Sequence, residues 1–401
     1  MTRSSGRPAA DRWRRRRRLA FAGAALAAPA VAHALIQRRL RPPEAPGWGR
    51  THRFAGHLGP VVYQELGAGE PIVLLHAFGP GFDARQWQAA AEALAPHCRV
   101  LAPDLPGWGR SAPLAPNPET CLACLADFLA GVVWTRAVLV AAGHAAPYAI
   151  HLAAEHPDLV RGVALVAPRG LLCRGAAATG AMDGGDGVDV LDDPRPTDEP
   201  LDDPRLPEEP FDDLDEPEGL DAGDELDELA EQDQQDREDG LDELARPDKM
   251  DEPDADLPSH PLVADLLRVP ILRISVLDVL TSRAALAGYL RSYAYAAPER
   301  VDAALIEHHY RVSHLPAHRR TLAAYWRGEL ALPAAATLRH LQVPAWVILG
   351  GGDAQDRLAA DGLPPGSEIE SVAGTRALPH AEKPLAVGEA LARFMASLPA
   401  S

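Results

Sequence analysis

The sequence lacks a complete set of metal-binding cysteines. Its four cysteines are Cys98, Cys121, Cys124 and Cys173. Cys121 and Cys124 form one C-x-x-C pair, but there is no second pair at zinc spacing and no run of histidines to complete a site. The pair reads as small apolar residues three apart on one helix face; neither a metal nor a cofactor is expected. A strongly apolar run of full membrane length is also missing. The longest candidate, Leu19–Ile36, is about 18 residues and rich in alanine, so it is short and weakly apolar for a stable span. General acidity is missing as well. The formal net charge is -18, but 33 Asp and Glu against five Arg and Lys fall between Ala181 and His260, which leaves the rest of the chain near +10. The acidity therefore says little about what the folded part binds. No nucleic-acid partner is expected.

At the N-terminus, Trp13 is followed by Arg14 to Arg18, the apolar run, and Gln37-Arg38-Arg39. A basic region ahead of an apolar stretch is a targeting pattern. Residues 1–44 read either as a signal peptide, with a small-x-small cleavage site at Ala32-His33-Ala34, or as an uncleaved membrane anchor. A disordered basic arm is the third reading, and Arg14–Arg18 also permits twin-arginine export. Arginine is denser before the run than after it, so the globular part is expected outside the cytoplasm. A membrane is thus an expected partner through this segment.

Beyond it, apolar runs alternate with amphipathic ones. Pro71–Leu75, Arg99–Ala102, Ala137–Val140, Val160–Val166 and Ala345–Leu349 read as strands. Trp87–Leu94, Cys121–Val133 and Tyr148–Glu155 read as helices between them. This alternation predicts an α/β fold with a mostly parallel sheet covered on both faces. The 47% hydrophobic content allows a sizeable core.

The pattern breaks from residue 172 to 258. LDDPRPTDEP (Leu191–Pro200) and LDDPRLPEEP (Leu201–Pro210) are near-repeats, Phe211–Leu220 is a decayed third copy, and LDELA occurs at Leu226–Ala230 and Leu241–Ala245. So much charge and so few large apolar residues predict a disordered acidic insertion. It is a candidate surface for a protein partner or for diffusely bound divalent cations. Gly184–Leu191 (GGDGVDVL) matches one calcium nonapeptide, but that motif needs tandem copies. From residue 259 to about 340 the chain is helical in pattern, as a cap would be. Residues 45–171 and 341–401 make the two halves of the core.

Five ordered motifs carry a family resemblance: Leu74-Leu75-His76-Ala77-Phe78-Gly79, Ala102-Pro103-Asp104-Leu105-Pro106-Gly107-Trp108-Gly109-Arg110-Ser111, Leu152–Val160, Val343–Asp353 and Leu378–Pro384. Together they resemble the α/β-hydrolase superfamily, in its single-domain lipase, esterase and peptidase-like branch. The resemblance covers residues 51–171 and 259–398. It implies a serine on a strained strand-to-helix turn, an oxyanion hole of backbone N–H groups, and a histidine oriented by an acid.

Aligned on these motifs, the nucleophile position holds Gly143 and the histidine position holds Ala377. An alternative register puts Ala145 at the nucleophile. In either register, no Ser, Thr, Cys, Asp or Glu lies between Ala137 and Ala154. Asp353 alone matches its role, as a vestigial acid. His380 corresponds to the family's second histidine and is the candidate substitute base. The backbone N–H groups of Phe78 and His144 correspond to the oxyanion hole, and His76 and His144 fall near the mouth as binding candidates. The expectation is a degenerate triad and a chain that acts by binding a small apolar or carbonyl ligand, or a partner. The alternatives are a hydrolase of carboxylic esters or similar bonds that uses a non-standard nucleophile or an activated water, and an acidic interaction protein whose insertion is the active part.

Overall fold

The computed structural model describes residues 33–34, 36–40, 47–171, 261–351, 363–364 and 367–399. The acidic repeats, the Gly184–Leu191 motif, most of the N-terminal apolar run and Asp353 lie outside them.

The chain opens with a hairpin, β1 (Arg50–Gly56) and β2 (Gly59–Leu66), followed by β3 (Pro71–Leu75), α1 (Gln88–Leu94), β4 (Arg99–Pro103), α2 (Pro118–Val132), β5 (Ala137–Ala142), α3 (Ala146–Glu155) and β6 (Val160–Val166). The helical block comprises α4 (Pro261–Arg268), α5 (Pro270–Leu280), α6 (Arg283–Tyr289), α7 (Ala303–Ser313), α8 (Pro316–Trp326) and α9 (Ala335–Arg339). β7 (Ala345–Gly350), β8 (Glu368–Val372), α10 (Pro379–Glu382) and α11 (Pro384–Ser397) complete the core. The sheet runs β1-β2-β4-β3-β5-β6-β7-β8. The β1–β2 and β2–β4 pairs are antiparallel; from β4 onward all neighbours are parallel.

The central strands are apolar throughout because both faces are covered. Successive side chains point to opposite faces. In β5, Leu139 and Ala141 pack toward α2 and α3, while Val138, Val140 and Ala142 pack toward α1 and α11. Val73 and Leu75 of β3 and Val163 and Leu165 of β6 follow the first set, with Ile72, Leu74, Ala164 and Val166 in the second. Cys121 and Cys124 are free and buried on the sheet-facing side of α2, and burial pushes their thiols up to about 12 and about 11. They behave as apolar packing residues there.

Strand order reverses between the neighbours β3 and β5, so the loops leaving their carboxyl ends diverge. Such a switch point opens a crevice in doubly wound sheets. The loop after β4 braces one wall of it. Asp104 is fully buried: Oδ1 accepts from Ala84 N–H (3.0 Å), and Oδ2 accepts from Arg110 N–H (2.9 Å) and Arg110 Nε–H (3.1 Å). Gly109 has φ +51, and a Cβ there would lie 2.5 Å from the Asp104 carboxylate. Ser111 Oγ–H donates to Asp104 O (2.6 Å) and accepts from Val62 N–H (2.9 Å). The D-x-P-G-x-G-x-S spacing is thus the wiring of one loop. Asp104→Ala would strand the Arg110 guanidinium and two backbone donors. The expected loss is about 3–5 kcal/mol of unfolding free energy, read by urea denaturation. A loss below 1 kcal/mol would mean that the loop is held by other contacts.

A candidate site at the elbow after the fifth strand

β5 ends at Ala142 in extended backbone (φ -98, ψ 140), and the chain then turns sharply through Gly143–Ala145 into α3, with a proline in its first turn. The pivot is Gly143, whose φ is +55. An L-residue there costs roughly 1–2 kcal/mol, a cost that glycine avoids. Ala145 is right-handed, at φ -79. The left-handed residue of this strand–turn–helix unit is therefore Gly143.

A Cβ built on Gly143 would meet only Ala77, at 3.3 Å from its Cβ and 4.0 Å from its Cα. A side chain at 143 would therefore lie beside the loop leaving β3, at the switch point. Gly143 and Ala377 line the same cavity, of about 20 Å³. That volume is about one water molecule. Phe78, His144, Arg169, Tyr293 and Tyr325 are also in its wall.

Each wall residue is held by its own element. Arg169 follows β6, and its N–H donates to Gly143 O (3.1 Å). Its guanidinium sits 5.0 Å from the Tyr293 ring, on the wide π turn Leu290–Ala294 that ends α6. The Ala377 loop is pinned by Glu382, whose Oε1 accepts from Arg376 N–H (2.6 Å) and whose Oε2 accepts from Ala296 N–H (2.7 Å). Phe78 stacks on Trp108, with ring centroids 5.2 Å apart. Ala77 N–H donates to Gln86 Oε1 (3.0 Å), whereas Phe78 N–H finds no acceptor among the described residues. Tyr325 O–H and His144 Nδ1 lie 2.9 Å apart. Burial raises the Tyr325 phenol well above its ordinary value, so it stays protonated.

A family model described as alpha/beta hydrolase fold matches residues 70–191. Solved structures share this fold. Cfl2 from Burkholderia cenocepacia does so with TM-score 0.58 at 20% identity, covering 88% of this chain and 99% of that one. An esterase from Thermogutta terrifontis gives TM-score 0.54 at 16% identity, covering 87% and 98%. The chain has the α/β-hydrolase fold. At these identities the solved structures speak to fold alone. Among curated proteins, this α/β-hydrolase-fold chain is 32% identical over 111 residues to a 2-hydroxy-6-oxo-2,4-heptadienoate hydrolase of Pseudomonas putida, covering 27% of this chain and 40% of the relative. It is 35% identical over 107 residues to a pimeloyl-[acyl-carrier protein] methyl ester esterase of Aeromonas hydrophila, covering 27% and 41%. The match spans about two fifths of the length of these relatives.

Two histidines need correction against the sequence reading. His380 does not line the elbow cavity. It is fully buried and stacked on Trp87, with centroids 4.0 Å apart, and neither ring nitrogen has a partner among the described residues. Burial, with His76 nearby, pushes it down to about 3. As placed, it is a neutral packing residue, not a base poised over Gly143. His76 is likewise not at the mouth: it is fully buried, its Nδ1 bonds to Ala77 O (2.8 Å), and its Nε2 accepts from Leu105 N–H (3.0 Å). It joins the loops after β3 and β4. His144 does line the cavity, where its Nδ1 is paired with the Tyr325 hydroxyl. Asp353 lies outside the described residues.

Sequence reasoning missed Arg169 and the tyrosines. Arg169 had one signal, its place just beyond a parallel strand's carboxyl end, where ligands bind in this sheet class. Tyr289 and Tyr293 are four apart on one helical turn, but nothing local says that this turn covers the elbow.

Proposed function

We propose that this chain has lost serine-hydrolase activity and uses the elbow cavity to bind a small apolar or carbonyl ligand. One observation carries the reading: the two residues that share the cavity at the pivot and opposite it, Gly143 and Ala377, have no nucleophile and no base to offer. What persists is a recognition surface. Phe78 N–H, and by the resemblance His144 N–H, would meet a carbonyl oxygen, and aromatic rings make the walls. At about 20 Å³ the cavity as it stands admits only a small group, such as a carbonyl oxygen, beside Phe78, Tyr293 and Tyr325. We further infer that the N-terminal segment anchors or exports the chain with its globular part outside the cytoplasm, on the charge bias of Arg14–Arg18.

The test is hydrolysis of p-nitrophenyl acetate and butyrate by the full chain. No turnover above a buffer blank is expected, from wild type and from Tyr325→Phe alike. Turnover in wild type that falls at least tenfold in His144→Ala would overturn this reading. It would support hydrolysis through an activated water, in keeping with relatives named as hydrolases and esterases.

A further inference from the structure

A second cavity, of about 220 Å³, lies beside the elbow and shares Leu378 with it. It sits where the loop after β3 presses against α7 of the cap. Gly81 allows the close approach: its φ is +74, and a Cβ there would lie 2.4 Å from His309 Cα. Asp83 then caps the short turn Ala84–Trp87, and its carboxylate reaches His308 on α7.

Two buried side chains in the cavity wall keep an unused acceptor. Asp83 is 3% exposed. Its Oδ1 accepts from Arg85 N–H (3.0 Å) and lies 3.1 Å from His308 Nε2, but its Oδ2 has no partner among the described residues. Burial opposes its charge, yet His308 and Arg110 outweigh that and hold the Asp83 carboxyl below its usual range, so it is ionised. His309 is 4% exposed. Its Nδ1 lies 2.9 Å from the Pro80 carbonyl, which can only accept, so the proton sits on Nδ1. Nε2 is left with a lone pair, and no described residue donates to it. Burial pushes His309 down to about 4, which keeps the ring neutral. Buried polar atoms normally have a partner; here the donors must come from whatever fills the cavity. Arg85 is the exposed group at the rim. Its Nη1 lies 3.4 Å from His308 Nδ1, and its guanidinium meets no carboxylate among the described residues. Leu305, Leu378 and Ala381 supply apolar wall.

We propose that this cavity binds a small α-amino acid with an aliphatic side chain. Its ammonium donates to Asp83 Oδ2 and His309 Nε2, its carboxylate meets the Arg85 guanidinium at the rim, and its side chain packs on Leu305, Leu378 and Ala381. An ammonium suits the two acceptors because it carries three N–H donors and a charge opposite to that of Asp83. A carboxylate in its place would set like charges together. The volume keeps the ligand small, since sites for drug-sized molecules take about 300–1,000 Å³. Neither Gly143 nor Ala377 lines this cavity, so it can be filled whether or not the elbow holds a ligand.

The experiment is isothermal titration of the full chain, near neutral pH, with L-leucine and its two truncated analogues. One is 3-methylbutylamine, which lacks the carboxylate; the other is 4-methylpentanoate, which lacks the ammonium. Leucine should bind best, 3-methylbutylamine about tenfold more weakly, and 4-methylpentanoate not measurably up to about 50 mM. Asp83→Asn keeps an oxygen for Arg85 N–H and His308 but turns an amide donor toward the cavity, so leucine binding should fall about 30-fold or more. Ala89→Trp fills the cavity from an exposed position on α1 and should abolish binding without touching the Asp83 turn. Arg85→Gln should bring leucine down to the level of 3-methylbutylamine. Leucine that fails to bind would leave the cavity to water and overturn the proposal. Binding unchanged in Asp83→Asn or in Ala89→Trp would put the amino acid elsewhere and overturn it as well. So would 4-methylpentanoate as tight as leucine, which removes the ammonium contact. An amine as tight as leucine would overturn the Arg85 contact.

Discussion

The double variant Gly143→Ser, Ala377→His is expected to hydrolyse short-chain aryl esters on the order of 10²-fold faster than the unsubstituted chain. The pivot already has the left-handed backbone at φ +55 that aims a side chain into the crevice, and a Cβ there meets only Ala77. Position 377 opens on the same cavity, and Phe78 N–H is unclaimed beside it. The main obstacle is volume: a hydroxymethyl group and an imidazole crowd a space of about 20 Å³, so the variant should lose about 1–3 kcal/mol of stability. Circular dichroism and a urea midpoint establish that it is folded. Because nucleophile and base act as a unit, either single substitution should stay at background. Asp353→Asn in the double variant should remove most of the gain, which tests the orienting acid assigned by resemblance. A folded double variant no faster than the singles would sink the correspondence of 143 and 377 with the catalytic pair.

The sequence displayed the parts of the fold whose burial is total. β3 to β7 are near-continuous apolar runs because helices cover both faces, and Val160–Val166 agrees with the sequence reading residue for residue. The β1–β2 hairpin was not legible. Its first strand alternates exposed and half-buried residues and carries two arginines and a histidine. β8, the far edge strand, carries Glu368 and Glu370; charged edges resist pairing with other chains but also blur the strand pattern. At the site, Gly143 was legible because a strand, a turn and a helix adjoin in sequence there. Arg169, Tyr293 and Tyr325 come from three separate segments that only the folded cap brings together. His76 and His380 could not be assigned in advance, because a histidine in a loop looks the same whether it faces water, a backbone amide or an indole ring.

Stability should collapse between pH 7 and pH 5, and buried histidines are the cause. His309, His318 and His380 are buried, and burial, the largest influence on each, pushes them down to about 4, about 3 and about 3. His76 is lowered by the same cause. Geometry agrees: His318 Nε2 accepts from Gly81 N–H (3.1 Å) and His76 Nε2 from Leu105 N–H (3.0 Å), bonds that protonation destroys. In the unfolded chain these groups titrate near 6.5. Their folded values lie below that, so the unfolded state binds more protons in the window between. Their stabilisation is therefore fully present above about pH 6.5 and is lost as pH falls toward 4. At pH 5 each of the three costs about 2 kcal/mol, and together about 6 kcal/mol, a large share of a typical domain's 5–15 kcal/mol. Exposed carboxylates titrate below this window; the buried Asp104 carboxyl, raised by its burial, works in the opposite sense to the histidines. His380→Phe isolates one of them. It keeps the ring on Trp87, removes two unpartnered buried nitrogens, and should raise stability at pH 7 while recovering about 2 kcal/mol more of it at pH 5. Urea midpoints at half-unit pH steps measure both effects. A flat profile from pH 7 to pH 5 would show that these imidazoles reach water in the folded chain, and an unchanged slope in His380→Phe would remove that residue from the account.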